Sequence, residues 1–202
     1  MSRHIRQNGF VEIIIGCMMS GKTSELIRRV ETGDIAGLDC QIYKPVVDDR
    51  YSSDNVVGHD GTEWVAKPVD SPTAIRREGD LEAADIIAID EVQFFDPEPL
   101  VDVTTELVGN DITVILAGLD LDFRGEPFTA TMQLTAHAEY VDKLHAVCSV
   151  CGNPATRSQR LIDGEPAPYD SERVLVSGAE HYEPRCRTHH QVPTSGSGHG
   201  TS

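Results

Sequence analysis

The chain has 202 residues, enough for one good-sized core or one domain with a small appendage, and carries 33 acidic against 17 basic residues, a formal charge of −16. No apolar run approaches the ~20 residues of a membrane span. Glu12 interrupts the longest early run and no cleavable leader precedes it, so a soluble cytoplasmic protein is expected. Such acidity repels nucleic acid and anionic membranes, and the pairs Arg28-Arg29 and Arg76-Arg77 are too short to form a basic patch. With only four lysines, the surface fits either a high-salt cytoplasm or ordinary solubilising charge.

Residues 1–9 are polar and read as loose. Val11–Ile15 is β-branched and apolar, a buried strand ending at Gly16. Thr23–Ala36 places Leu26, Ile27 and Val30 at helical spacing with charges opposite, which predicts an amphipathic helix. Cys40–Tyr43 reads as a short strand stopped by Pro45. Residues 46–72 are mixed, with hairpin-like pieces around Gly58–Gly61. Asp85–Ile89 predicts a strand ending in Asp90-Glu91, Pro97–Val108 a helix, and Asp111–Gly118 another core strand. This alternation implies a parallel α/β sheet covered on both faces. Beyond about residue 146, cysteines, prolines and short strands replace the periodic segments, and residues 195–202 are low-complexity.

Gly16-Cys17-Met18-Met19-Ser20-Gly21-Lys22-Thr23 fits the phosphate-loop pattern in full, and sits between a strand and a helix as that pattern requires. Glycines let backbone N–H groups converge on phosphate oxygens at a helix N-terminus. Lys22 is expected to neutralise the β and γ phosphates, and the Thr23 hydroxyl to reach Mg²⁺. Asp90 follows a core strand at the position of a Walker B acid, where it can orient Mg²⁺ together with Thr23. Glu91 is placed to act as a general base. An adjacent Asp-Glu pair suits a kinase or an ATPase equally.

Cys148-x-x-Cys151 and Cys186-x-x-His189 form two knuckles that can close a tetrahedral zinc site with no position left for water, a structural role. His190 is the alternative fourth ligand, and a redox Cys-x-x-Cys is the competing reading of the first knuckle. Cys17 and Cys40 sit in apolar stretches as buried thiols. Arg157, Arg160, Arg185 and Arg187 lie near the knuckles, where a nucleic-acid zinc ribbon would carry them, but the overall acidity opposes that reading.

These segments occur in one order together with Lys44-Pro-Val-Val-Asp-Asp-Arg-Tyr-Ser52, His59-Asp60, Ile89-Asp-Glu-Val-Gln-Phe-Phe95 and Gly118-Leu-Asp-Leu-Asp-Phe-Arg-Gly-Glu-Pro-Phe128. From about residue 10 to 190 the chain closely resembles the zinc-containing (type II) thymidine kinases. The resemblance implies a RecA-like P-loop α/β core over 10–145, a zinc-bound lasso module over 146–192 closing on the nucleoside, and a disordered tail over 193–202. It implies transfer of the ATP γ-phosphoryl group to thymidine, with Glu91 as the base on the 5′-hydroxyl. Gln93 falls in the nucleotide-binding segment, and Asp48 and Arg50 lie near Mg²⁺ and the phosphates. Met18 and Leu119 neighbour the thymine methyl, and Phe94, Phe123 and Phe128 surround the nucleoside, Phe123 foremost. The lasso over Arg173–Tyr182, with Val174, Leu175, Val176, Ser177, Gly178 and Tyr182, grips the base chiefly by backbone groups. Ser158 stands where the family expects threonine, Val92 where glycine or alanine is usual, and Cys17 where proline is frequent. The resemblance further implies a homotetramer inhibited by dTTP, without nucleic-acid or membrane partners.

Overall fold

Six parallel strands form the central sheet of the protein, seen in a computed structural model that describes residues 9–46, 55–57, 63–173 and 181–194. In chain order these are β1 (Val11–Gly16), β2 (Cys40–Pro45), β5 (Lys67–Val69), β6 (Ile86–Ile89), β7 (Thr113–Leu119) and β8 (Tyr140–Leu144). Their spatial order is β5-β2-β6-β7-β1-β8. A short antiparallel hairpin, β3 (Asn55–Val57) with β4 (Glu63–Val65), precedes β5 and flanks the predicted turn. The helices are α1 (Lys22–Ile35), α2 (Pro72–Glu78), α3 (Pro97–Gly109) and α4 (Thr129–His137).

The strands read as continuous apolar runs because both faces of the sheet are covered. Ile13, Ile15, Ile87, Ile89, Val114 and Leu116 pack on one face with Leu100, Val103 and Leu107 of α3 and Leu134 of α4. Ile14, Ile42, Ile86, Ala88, Ile115 and Ala117 pack on the other against Leu26, Ile27 and Val30 of α1. Glu12, which breaks the first run, falls on the α1 face and meets Arg29 Nη1 at 2.9 Å. Arg29 also reaches Glu25 at 2.8 Å and Asp142 at 2.7 Å, so one guanidinium joins α1, β1 and β8.

The predicted helices and core strands are present to within two residues at each end. The sequence reading did not anticipate α2, α4 or β8. Past the sheet, β9 (Ala146–Val147) pairs antiparallel with β10 (Pro154–Ala155). β11 (Arg157–Ile162) pairs with β12 (Glu165–Pro166) on one side and β13 (His181–Arg185) on the other. Of the expected loose ends, 1–9 and 193–202, residues 1–8 and 195–202 lie outside the described residues, as do the turn at 58–62 and the segments 47–54 and 174–180.

Candidate functional site

Because the six strands run parallel, Gly16, Asp90, Leu119 and Leu144 come out along one edge of the sheet, the edge at which α/β proteins bind ligands. Between Gly16 and α1 the chain turns through Met19 at φ 62° and Gly21 at φ 84°. Glycine adopts that left-handed conformation without strain, whereas Met19 holds it as an exposed, non-glycine residue. The N-cap of α1 is Gly21, which offers no capping side chain, and a helix N-terminus of this kind favours an anion. Lys22 is buried beside this turn, its ammonium donating to the Cys17 carbonyl at 2.9 Å.

Opposite the loop, the Thr23 hydroxyl donates to Asp90 Oδ2 at 2.9 Å. Asp90 is buried, and burial, reinforced by the neighbouring Glu91 charge, pushes its carboxyl up to about 7 against the opposing pull of the Glu91 amide, Thr23 and Lys22. Glu91 itself sits at φ 52°, a strained conformation of the kind that accumulates at functional sites. Gln93, in the 3₁₀ turn Val92–Phe94, is buried and holds two partners. Its amide nitrogen donates to Glu91 Oε2, and its amide oxygen accepts the Leu119 N–H at 2.9 Å. A hydrogen-bonded path thus runs from Thr23 through Asp90 and Glu91 to Gln93 and the end of β7.

Of the residues expected around a nucleoside, Met18, Phe94 and Leu119 are half-buried at this edge, whereas Phe95 belongs to the core. Phe123 and Phe128 are 2% and 7% exposed. Arg160 and Arg124 lie over the Phe123 ring at 5.1 and 5.3 Å, and Arg173 over Phe128 at 4.9 Å. Ser158 is buried, and its hydroxyl accepts the Met18 N–H at 3.0 Å. Tyr182 is half-buried on β13, in register with Arg160. Asp48, Arg50 and Val174, Leu175, Val176, Ser177 and Gly178 lie outside the described residues.

Sequence reasoning quoted the segment 118–128 but gave its acids no role. Asp122 is 3% exposed, and its Oδ1 accepts the N–H groups of Arg124 and Glu126, each at 2.9 Å. Its Oδ2 accepts Arg173 Nε at 2.7 Å. Asp-initiated turns of this kind are the signal that could have found it. Asp120, also buried, meets the Lys143 ammonium at 2.6 Å. Three of the four arginines near the knuckles are engaged within the fold: Arg160 is fully buried and donates to the Glu172 carbonyl at 2.5 Å, Arg157 to the Thr156 carbonyl at 2.9 Å, and Arg185 to Glu183 at 3.0 Å, while Arg187 is exposed.

Cys148, Cys151, Cys186 and His189 converge so that their four ligand atoms lie within 4.8 Å of one another. Cys186 Sγ is 3.2 Å from His189 Nδ1, Cys148 Sγ 3.7 Å from the same nitrogen, and Cys151 Sγ 3.8 Å from Cys186 Sγ. Tetrahedral zinc with bonds of about 2.0–2.3 Å needs donors ~3.3–3.8 Å apart; these three separations lie close to that range and the other pairs within 4.8 Å, so zinc would need to draw the group only slightly together. His190 turns away, its Nε2 2.8 Å from the Phe123 carbonyl oxygen. Burial raises the Cys148 thiol, but the Cys186, Val150 and Cys151 amides with His189 outweigh it and bring it down to about 5, the thiolate a metal requires.

A parallel α/β sheet with a phosphate loop and a buried acid side by side at its carboxyl edge defines a P-loop nucleotide-binding protein. The family model for thymidine kinase matches residues 9–190, and the chain belongs to the thymidine kinase family. Among the described residues, no helix is long and apolar enough to cross a membrane.

Proposed function

We propose that the protein is a thymidine kinase of the zinc-containing type, transferring the γ-phosphoryl group of MgATP to the 5′-hydroxyl of thymidine and releasing dTMP and ADP. The observation that carries this reading is the path Thr23–Asp90–Glu91–Gln93 beside the phosphate loop, in a chain of the thymidine kinase family. Phosphoryl transfer asks the protein for position and charge neutralisation rather than covalent chemistry.

The phosphate loop, Gly16 to Thr23, holds the triphosphate, with Lys22 leaving the Cys17 carbonyl to meet its outer phosphates. Thr23 and Asp90 are the residues to hold Mg²⁺, which neutralises phosphate charge; a cation there favours the ionised form of the buried Asp90. Asp48 and Arg50 serve the same phosphates. Glu91 accepts the 5′-hydroxyl proton, and Gln93 fixes which way its carboxylate points. Met18, Phe94, Leu119, Phe123, Phe128, Ser158, Tyr182 and the 174–178 segment form the nucleoside side. The Cys₃His group holds structural zinc. Salvage of thymidine in the cytoplasm as a homotetramer, inhibited by dTTP, completes the proposal.

The test is ADP release from MgATP with each common nucleoside, for wild type and Glu91→Gln, in low and high salt. Thymidine-dependent release lost in the variant supports the assignment. Release that ignores the nucleoside supports an ATPase instead.

A further inference from the structure

Two contacts tie the phosphate loop to the cysteine-bearing part of the chain. The Met18 N–H donates to Ser158 Oγ at 3.0 Å, across 140 positions of sequence. The Cys17 thiol donates to the Ala155 carbonyl at 3.4 Å. Ser158 and Cys17 are only 2% and 1% exposed, so both side chains are shielded from water, while Met18 is half-buried. Cys17 also packs in one apolar cluster with Ala146, Cys148 and Ala155, with Cys186 against it. Cys148 and Cys186 are two members of the Cys₃His group. The phosphate loop therefore rests on the wall of the metal site on one side and on β11 on the other.

A phosphate loop binds through N–H groups that converge on the anion. An N–H committed to a hydroxyl of the fold pins the arm of the loop instead, and fixes where the remaining donors point. We propose that Ser158 is a positioning residue for the phosphate loop, and that its bond to Met18, together with the seating of Cys17, couples occupation of the Cys₃His group to nucleotide affinity. Metal holds Cys148 and Cys186 in place, so a loop seated on them loses less freedom when nucleotide binds. This inference rests on the phosphate-loop part of the proposed function and is independent of which nucleoside is phosphorylated.

The experiment is titration calorimetry of MgADP, without nucleoside, on wild type, Ser158→Ala and Ser158→Thr. Each is measured metal-loaded and after chelation followed by gel filtration into excess Mg²⁺. Ser158→Ala is expected to bind MgADP about fivefold more weakly, the effect of one net hydrogen bond, and Ser158→Thr to stay within about twofold of wild type. Metal depletion is expected to weaken wild type, and to weaken Ser158→Ala by a smaller factor, the non-additivity of residues in one path. Cys151→Ser, at an exposed ligand outside the apolar cluster, supplies metal-poor protein should chelated wild type precipitate. Unchanged MgADP affinity in Ser158→Ala, or equal factors on metal depletion in the two proteins, overturns the inference. A change confined to the thymidine KM also overturns it, because the hydroxyl then serves the nucleoside. Protein with the expected Ser158 dependence that phosphorylates no thymidine would leave this inference standing and remove the kinase reading alone.

Discussion

The Thr23 hydroxyl, on α1, and Asp90 Oδ2, just past the end of β6, are 2.9 Å apart. β7 lies between β1, the strand that leads into α1, and β6, so this side-chain contact ties together two parts of the chain whose strands are not neighbours. Removing the hydroxyl leaves a buried carboxylate without one of its donors. Thr23→Val is expected to raise the KM for MgATP about 10- to 100-fold, the range of a charge-assisted hydrogen bond, and Thr23→Ser to restore it. Steady-state kinetics with MgATP varied at fixed thymidine decides this, and equal KM values in Val and Ser variants would contradict it.

Glu91 and Gln93 separate chemistry from positioning. Glu91→Gln is expected to lower kcat about 10²- to 10⁴-fold, the usual contribution of a general base, with MgADP affinity unaltered. Gln93→Ala removes the group that aims Glu91 and leaves the Leu119 N–H without that acceptor, for a loss nearer 10²-fold. A Gln93→Ala enzyme as fast as wild type would show that Glu91 needs no such guide.

The Cys₃His group predicts about one zinc ion per chain by elemental analysis. Cys186→Ser should lose the ion and lower the melting temperature, because a structural metal contributes folding energy directly. Zn²⁺ should restore chelated wild type where Mg²⁺ does not. A chelated protein that melts at the wild-type temperature would refute the structural role.

Acid stability has a local origin in α1. Glu25 accepts hydrogen bonds from Arg28 at 2.7 Å and Arg29 at 2.8 Å, which hold its carboxyl at about 2 against an ordinary value of 4.5. A depressed carboxylate stabilises the fold fully above its unfolded pKa, and that contribution is lost as pH falls from 4.5 through about 2. Melting temperatures between pH 6 and 2 should therefore fall less steeply in Glu25→Gln than in wild type. Parallel curves would place the acid sensitivity elsewhere.

Most of the candidate nucleotide site is local in sequence and was legible there. The phosphate loop, the acid pair and the two knuckles are contiguous patterns whose spacing is imposed by chemistry. β8 escaped because it is an edge strand with no fully buried residue, so Tyr140 and Val141 stand exposed and no alternation develops. α4 escaped because its threonines, at 129, 131 and 135, blur the helical stripe. The double role of Gln93 and the bond from Met18 to Ser158 depend on partners 26 and 140 positions away, which only the folded chain brings within reach. Phe123 is expected beside the nucleoside from its motif; that Arg124 from the same segment and Arg160 from β11 both lie over its ring is visible only in the fold.

The core strand β7 contains one position, Gly118, where core packing and the candidate site together set the size limit. A methyl on Gly118 would stand 2.6 Å from Val92 and 2.8 Å from the Gln93 amide oxygen. Any side chain there pushes Gln93 off the Leu119 N–H and takes the Glu91 orientation with it, while the sheet keeps its strand order. Gly118→Ala is thus expected to yield a protein that folds, binds MgADP and turns over poorly. A screen for stability alone would miss the part of that loss that comes from Gln93, so directed evolution of this scaffold needs an activity readout at Gly118 as well.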